Sequence, residues 1–143
     1  MRQIKFRAKV AHYDVMTNPE DGWVDGFYYQ DLCGVEIKHF IKSGEMVWCV
    51  IPETLCQFTS MCDKNGKEIY EGDILSDESF KYEVWYSKDR AAFASEIIDP
   101  PYHLANYLGE YDTERTMTVI GNIHDNSDLL RKIYERQTDR MGR

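Results

Sequence analysis

Three carboxylates, Glu68, Glu71 and Asp73, fall within the short stretch Lys67-Glu68-Ile69-Tyr70-Glu71-Gly72-Asp73-Ile74-Leu75. On an extended strand, residues two apart point to the same side, which would set the Glu71 and Asp73 carboxylates roughly 6–7 Å apart. Two carboxylates at that distance can act as general acid and general base, or hold a metal ion together. Gly72 stands between them and argues against it. A Gly-Asp pair marks a bend, and the aspartate at a bend accepts backbone N–H groups. The expectation is therefore a structural stretch whose acids are mostly at the surface. No residue is assigned as catalytic, cofactor-binding or metal-ligating.

Other chemistry-bearing residues form no familiar set. His12, His39, His103 and His124 are scattered, each without a ligand partner nearby in sequence. Cys33, Cys49, Cys56 and Cys62 include no Cys-x-x-Cys pair and no histidine at zinc-finger spacing. They are expected to be free thiols, packed as small hydrophobes in a reducing cytoplasm. Gly66-Lys67 is followed by Glu68, so it cannot be a phosphate-binding loop. A calcium loop beginning at Asp63 would need an acid at its twelfth position, which is Ile74. Neither a Gly-x-Ser-x-Gly nor a His-Glu-x-x-His pattern occurs. No cofactor is expected.

Charge narrows the partners. Aspartate and glutamate number 25 against 17 lysines and arginines, for a net charge of −8. Residues 1–9 carry Arg2, Lys5, Arg7 and Lys9 without an acid. Residues 129–143 carry Arg131, Lys132, Arg136, Arg140 and Arg143 against Glu135 and Asp139. The segment between is strongly acidic and would repel a phosphate backbone. The basic ends are expected to pair with that acidic body. Contact with nucleic acid is the less favoured use. The N-terminus has no apolar signal region, and no apolar run approaches the roughly 20 residues of a membrane helix.

The elements that would position these residues are short strands. In Ile4-Lys5-Phe6-Arg7-Ala8-Lys9-Val10, apolar and cationic residues alternate strictly, the mark of a half-buried strand. Asp14 to Trp23 reads as a loop. Apolar runs at Trp23–Tyr29, Val35–Ile41 and Met46–Ile51 are punctuated by Gly26, Gly34 and Gly44, with a hairpin turn at residues 42–45. Asp63-Lys64-Asn65-Gly66 reads as a turn. Residues 81–87, 91–98 and 116–123 continue the β rhythm. Leu104, Tyr107, Leu108 and Tyr111 have helix-like spacing. A capped helix is expected over about 127–143, with Asn126 or Ser127 as cap and Leu129, Leu130, Ile133, Tyr134 and Met141 as its apolar stripe. The fold class is thus mainly β with a minor α part. The expectation is one domain, residues 1–143, a small barrel-like or SH3-like β domain with a C-terminal helix.

Three blocks in order carry a resemblance: Met-Arg-Gln-Ile-Lys-Phe-Arg-Ala-Lys-Val at the start, Pro52 to Ile74 in the middle, and Val119 to Leu129 near the end. The middle block is the most specific, with Gln57, Phe58, Thr59, Asp63, Asn65, Gly66, Tyr70, Glu71, Gly72, Asp73 and Ile74 in place. This set resembles the YopX family of small phage and prophage proteins. Ser60 and Cys56 stand where that family commonly has glycine, and a left-handed backbone there would cost about 1–2 kcal/mol. The resemblance implies a barrel-like fold related to small SH3-like barrels, in a bacterial cytoplasm, and it carries no catalytic or binding residue. A non-enzymatic interaction module is the leading expectation, with an unknown protein partner or self-association. The alternatives are a nucleic-acid-associated protein using its basic ends, or an acidic mimic of DNA.

Overall fold

The computed structural model describes residues 1–12, 18–110 and 112–141. The chain divides into two compact units, Met1–Ser60 and Met61–Arg143. The loop read at Asp14 to Thr17 lies outside the described residues.

In the first unit, the alternating N-terminal segment becomes strand β1, Phe6–Lys9. It is followed by β2, Trp23–Cys33, β3, Glu36–Ser43, and β4, Met46–Cys49. A 3-10 turn at Pro52–Thr54 leads to β5, Cys56–Cys62, which runs past the boundary between the units. Neighbouring strands pair antiparallel in the order β4-β3-β2-β1-β5. Beyond the strand ends, Val10 bridges Val50. Around that bridge the Ala11 N–H donates to the Cys49 carbonyl at 2.8 Å, and the Ile51 N–H to the Lys9 carbonyl at 2.8 Å. The sheet therefore wraps a core of Ala8, Val10, Val24, Ile41 and Val50. Each of the buried valines and Ile41 contributes on the order of 1.5–3 kcal/mol. Thr54 fastens the 3-10 turn. Its hydroxyl donates to the Ile51 carbonyl and accepts the Lys9 N–H.

Two readings of this unit change. Ile4 is exposed and precedes the strand, so the alternation buries Ala8 and Val10 but not Ile4. Gly26 does not interrupt its run; it lies inside β2. A Cβ there would stand 2.3 Å from the Lys42 carbonyl oxygen on β3, so glycine permits the close approach of the two strands.

The second unit contains β6, Glu68–Tyr70, β7, Asp73–Ser76, β8, Lys81–Ser87, β9, Ala92–Asp99, β10, Ala105–Tyr107, and β11, Thr118–Asn122. The helices are α1, Thr113–Thr116, and α2, Ser127–Met141. Strand β6 pairs with β5, and the main sheet has the order β10-β9-β8-β7-β11. Ile74 and Leu75 are adjacent, so they face opposite sides of this sheet, and both are fully buried. Leu75 joins Ile69, Tyr82, Val84, Ile97, Leu108 and Met117. Ile74 joins Ile98 and Ile133, with Leu129 and Leu130 packed against them. Helix α2 thus covers one face of the sheet, which explains why β7 and β9 carry apolar pairs instead of simple alternation.

The helix-like spacing at 104–108 is overturned. Residues 105–107 form β10 against β9, and the Leu108 N–H continues the pairing to the Phe93 carbonyl. Only Leu108 of that set reaches the core, while Leu104 and Tyr107 are exposed. Tyr111 lies outside the described residues. Tyr134 likewise faces solvent instead of joining the apolar stripe of α2, and the Met141 side chain is outside the description. The Asn126 side chain turns back to accept the Asn122 N–H, while its backbone carbonyl accepts the Leu129 N–H. The mainly β expectation with a C-terminal helix holds. Among the described residues the strands make two antiparallel sheets and no closed barrel; β10 and β11 end the main sheet of the second unit.

Candidate functional site

The stretch around Glu68, Glu71 and Asp73 is organised by backbone, not by paired carboxylates. Gly72 takes φ +80° between β6 and β7, and this turn breaks the strand that would have aligned Glu71 with Asp73. The Gly72 N–H donates to the Val84 carbonyl, and its carbonyl accepts the Ile123 N–H. Asp73 is fully buried and accepts the Tyr70 N–H at 2.8 Å. Glu68 accepts the Tyr70 hydroxyl at 2.8 Å. The bend reading therefore holds, but the surface reading of the acids is corrected for Asp73, which is buried, as is Asp63 in the preceding turn. They are inside because each satisfies backbone donors that would otherwise be stranded away from water.

Asp63 is the most connected of these acids. Its Oδ1 accepts the N–H groups of Asn65 at 2.8 Å and Lys67 at 2.9 Å, and its Oδ2 accepts the Val119 N–H at 3.0 Å. Its own N–H donates to the Lys67 carbonyl, and the Lys64 N–H reaches the Met117 carbonyl. One carboxylate thus closes the turn and joins it to β11. Burial by itself would raise this acid's pKa, but the N–H groups of Val119, Lys67 and Asn65 and the Lys67 charge outweigh it, and the pKa is lowered. Asp77 repeats the pattern. Burial pushes it up, and the Phe80 N–H, the Tyr82 hydroxyl and the Ser79 N–H bring it down. These are structural anions with their oxygens already engaged.

A different acid, Glu83, has the perturbation expected of a reactive group. Glu83 on β8 lies directly opposite Glu96 on β9. Burial, and then the Glu96 charge, raises the Glu83 pKa. His103 Nδ1 lies 3.4 Å from Glu96 Oε1. Among the described residues no group of three or more histidine, cysteine or acidic side chains is arranged to hold a metal. The four cysteines are free thiols, with Cys33 exposed and Cys56 buried.

The cationic face of β1 is occupied within the first unit. Arg7 and Lys9 lie 4.9 and 5.5 Å from the Trp23 ring centre, and Lys5 lies 5.1 Å from that of Phe58. Lys5 also meets Asp25 at 3.6 Å. In the second unit, Arg131 bridges to Asp128 and Glu135, and Arg136 to Asp99. Lys5–Asp25 and Arg136–Asp99 are pairs of the expected kind, between a basic end and the acidic body, while the ring contacts of Lys5, Arg7 and Lys9 are not what the charge distribution implied.

The feature that the sequence did not reveal is an exposed apolar arm. Strand β2 pairs with β1 only as far as Gly26, and β3 pairs with β4 only from Phe40. Between these limits β2 and β3 continue as a two-stranded ribbon that turns at Gly34 and Val35. Val35 is 98% exposed, Leu32 67% and Ile37 61%, while Phe27, Met46 and Val47 are exposed nearer its base. Leu32 and Ile37 sit opposite each other across the two strands. Strand periodicity assigns Leu32 and Ile37 to the same face as the buried Val24 and Ile41. Only the extent of pairing shows that the core ends before reaching them.

A family model described as YopX protein matches residues 5–131. The crystal structure of protein EF1440 from Enterococcus faecalis is similar at 21% sequence identity and a TM-score of 0.46, covering 91% of this chain and 99% of that one. No curated protein matches the chain.

Proposed function

The chain belongs to the YopX protein family, and on that premise we propose a phage or prophage accessory protein acting as a non-enzymatic protein-interaction module in the bacterial cytoplasm. It works as one domain built on a partly open SH3-like arrangement. The Val10–Val50 bridge and the 3-10 turn between β4 and β5 support that arrangement. The observation that carries the functional reading is the β2–β3 arm, whose large apolar side chains stand in solvent at its tip. Apolar side chains grouped in this way mark contact surfaces in soluble proteins. The inward-turned acids support the non-enzymatic half of the reading, because their oxygens are committed to backbone donors.

A tagged pull-down from host lysate, with and without nuclease, tests it. A protein held in both conditions, and lost when Leu32 and Ile37 are both replaced by lysine, is the expected result. Capture that disappears with nuclease, or that the double variant retains, would overturn the reading.

A further inference from the structure

The arm offers more than exposed side chains: it has an open backbone edge. His39 accepts the Val50 N–H, so the polar groups of His39 face the β4 side of β3. Strand residues two apart present their polar groups to the same side, so the N–H and carbonyl of Ile37 face that side as well. Strand β4 pairs from Phe40 onward, and Val50 is the last residue of its segment against β3. After it, the Ile51 N–H turns to the Lys9 carbonyl. Among the described residues no strand lies against Glu36, Ile37 and Lys38 on that side.

We infer that this edge pairs with the same edge of a second copy of the chain, antiparallel about a two-fold axis at Ile37. This goes beyond the proposed function by adding self-association through the arm, and it rests on that reading of the arm as a contact surface. The register follows from charge. With Ile37 opposite Ile37 of the partner subunit, Glu36 lies opposite Lys38 of the partner subunit, and the symmetry repeats the pair. Each opposite-charge pair across strands is favourable by a few tenths to about 1 kcal/mol. The two Ile37 residues exchange two backbone hydrogen bonds, as a directly opposed antiparallel pair does. On the other face, Leu32 stands beside Ile37 within each arm. Pairing therefore joins four exposed apolar side chains into one row across four strands.

The other edge of the arm fits a two-fold less well. On β2, an axis at Asp31 sets two like charges face to face, and an axis at Gln30 or Leu32 pairs no opposite charges. Joining β2 of one copy to β3 of the next gives a head-to-tail contact that need not close. The β3 edge alone combines closure, matched charge and matched apolar surface.

Sedimentation velocity over a concentration series, on the full chain, tests the pairing. A reversible dimer is expected. Glu36→Lys and Lys38→Glu should each weaken it about tenfold, since each sets like charges opposite each other twice. The double variant Glu36→Lys/Lys38→Glu should restore it, because the swap regenerates both pairs. Ile37→Lys should leave a folded monomer that melts as the dissociated wild type does at high dilution, since Ile37 lies outside the core. A monomer at every concentration, a dimer indifferent to Ile37→Lys, or a charge swap that fails to rescue would each overturn the inference. If the dimer is absent but Ile37→Lys still abolishes capture of a host protein, this inference falls and the interaction reading stands. If neither association nor capture depends on the arm, both fall.

Discussion

Asp63 and Asp73 are acids used as backbone acceptors, and their effects should appear in stability. Replacing Asp63 with alanine strands the Asn65, Lys67 and Val119 N–H groups. Hydrogen bonds to a charged group are worth about 1.5–3 kcal/mol each and do not add fully, so a loss of about 3 kcal/mol is expected in urea unfolding. The pH dependence has a definite sign. The folded-state pKa of Asp63 is lowered, so its stabilisation is present in full above the unfolded pKa of about 3.9 and is lost as pH falls through the folded value. Wild type and Asp63→Ala should therefore converge in stability toward acid pH; a constant gap would refute the assignment. Ser60 is a second case. It takes φ +70°, a conformation that costs an L-residue about 1–2 kcal/mol. Ser60→Gly should raise the urea midpoint by about 1 kcal/mol equivalent, in line with the glycine common in the family. Cys56 needs no such relief, because it lies in β5 without a positive φ.

At the scale of elements, the strands and turns were largely legible and their extents were not. The β1 alternation, the turn between β3 and β4 at Gly44 and Glu45, and the Asp63–Gly66 turn all stand where residue chemistry places them. Those features are local: a turn residue supplies the φ its turn needs, and alternation follows from the pleat. The 104–108 segment was misread because its spacing is ambiguous over so few residues, and pairing with β9 decided it. Gly26 was misread because a glycine that permits close approach looks the same in sequence as one that ends a strand. Gly26→Ala tests that distinction. Its Cβ would press on backbone atoms of Lys42, which cannot rotate away. A loss of about 2–3 kcal/mol in thermal or urea unfolding is expected; a neutral result would return Gly26 to the role of punctuation.

For the whole molecule, net charge and the engagement of the basic ends set the expectation for nucleic acid. At −8, with Lys5, Arg7 and Lys9 lying over aromatic rings, the protein should pass through a double-stranded DNA column at about 0.15 M salt. Retention that disappears when these three become glutamine would reverse that expectation. Sequence by itself determined the family, the mainly β class, the C-terminal helix and the bend at Gly72, because backbone preference, side-chain period and charge are properties of a short window. Tertiary structure alone decided that Asp63 and Asp73 turn inward, that β7 is buried on both faces, and that Leu32 and Ile37 stand in water. Each of these depends on where a neighbouring strand or helix begins and ends, and that is set by contacts between residues far apart in the chain.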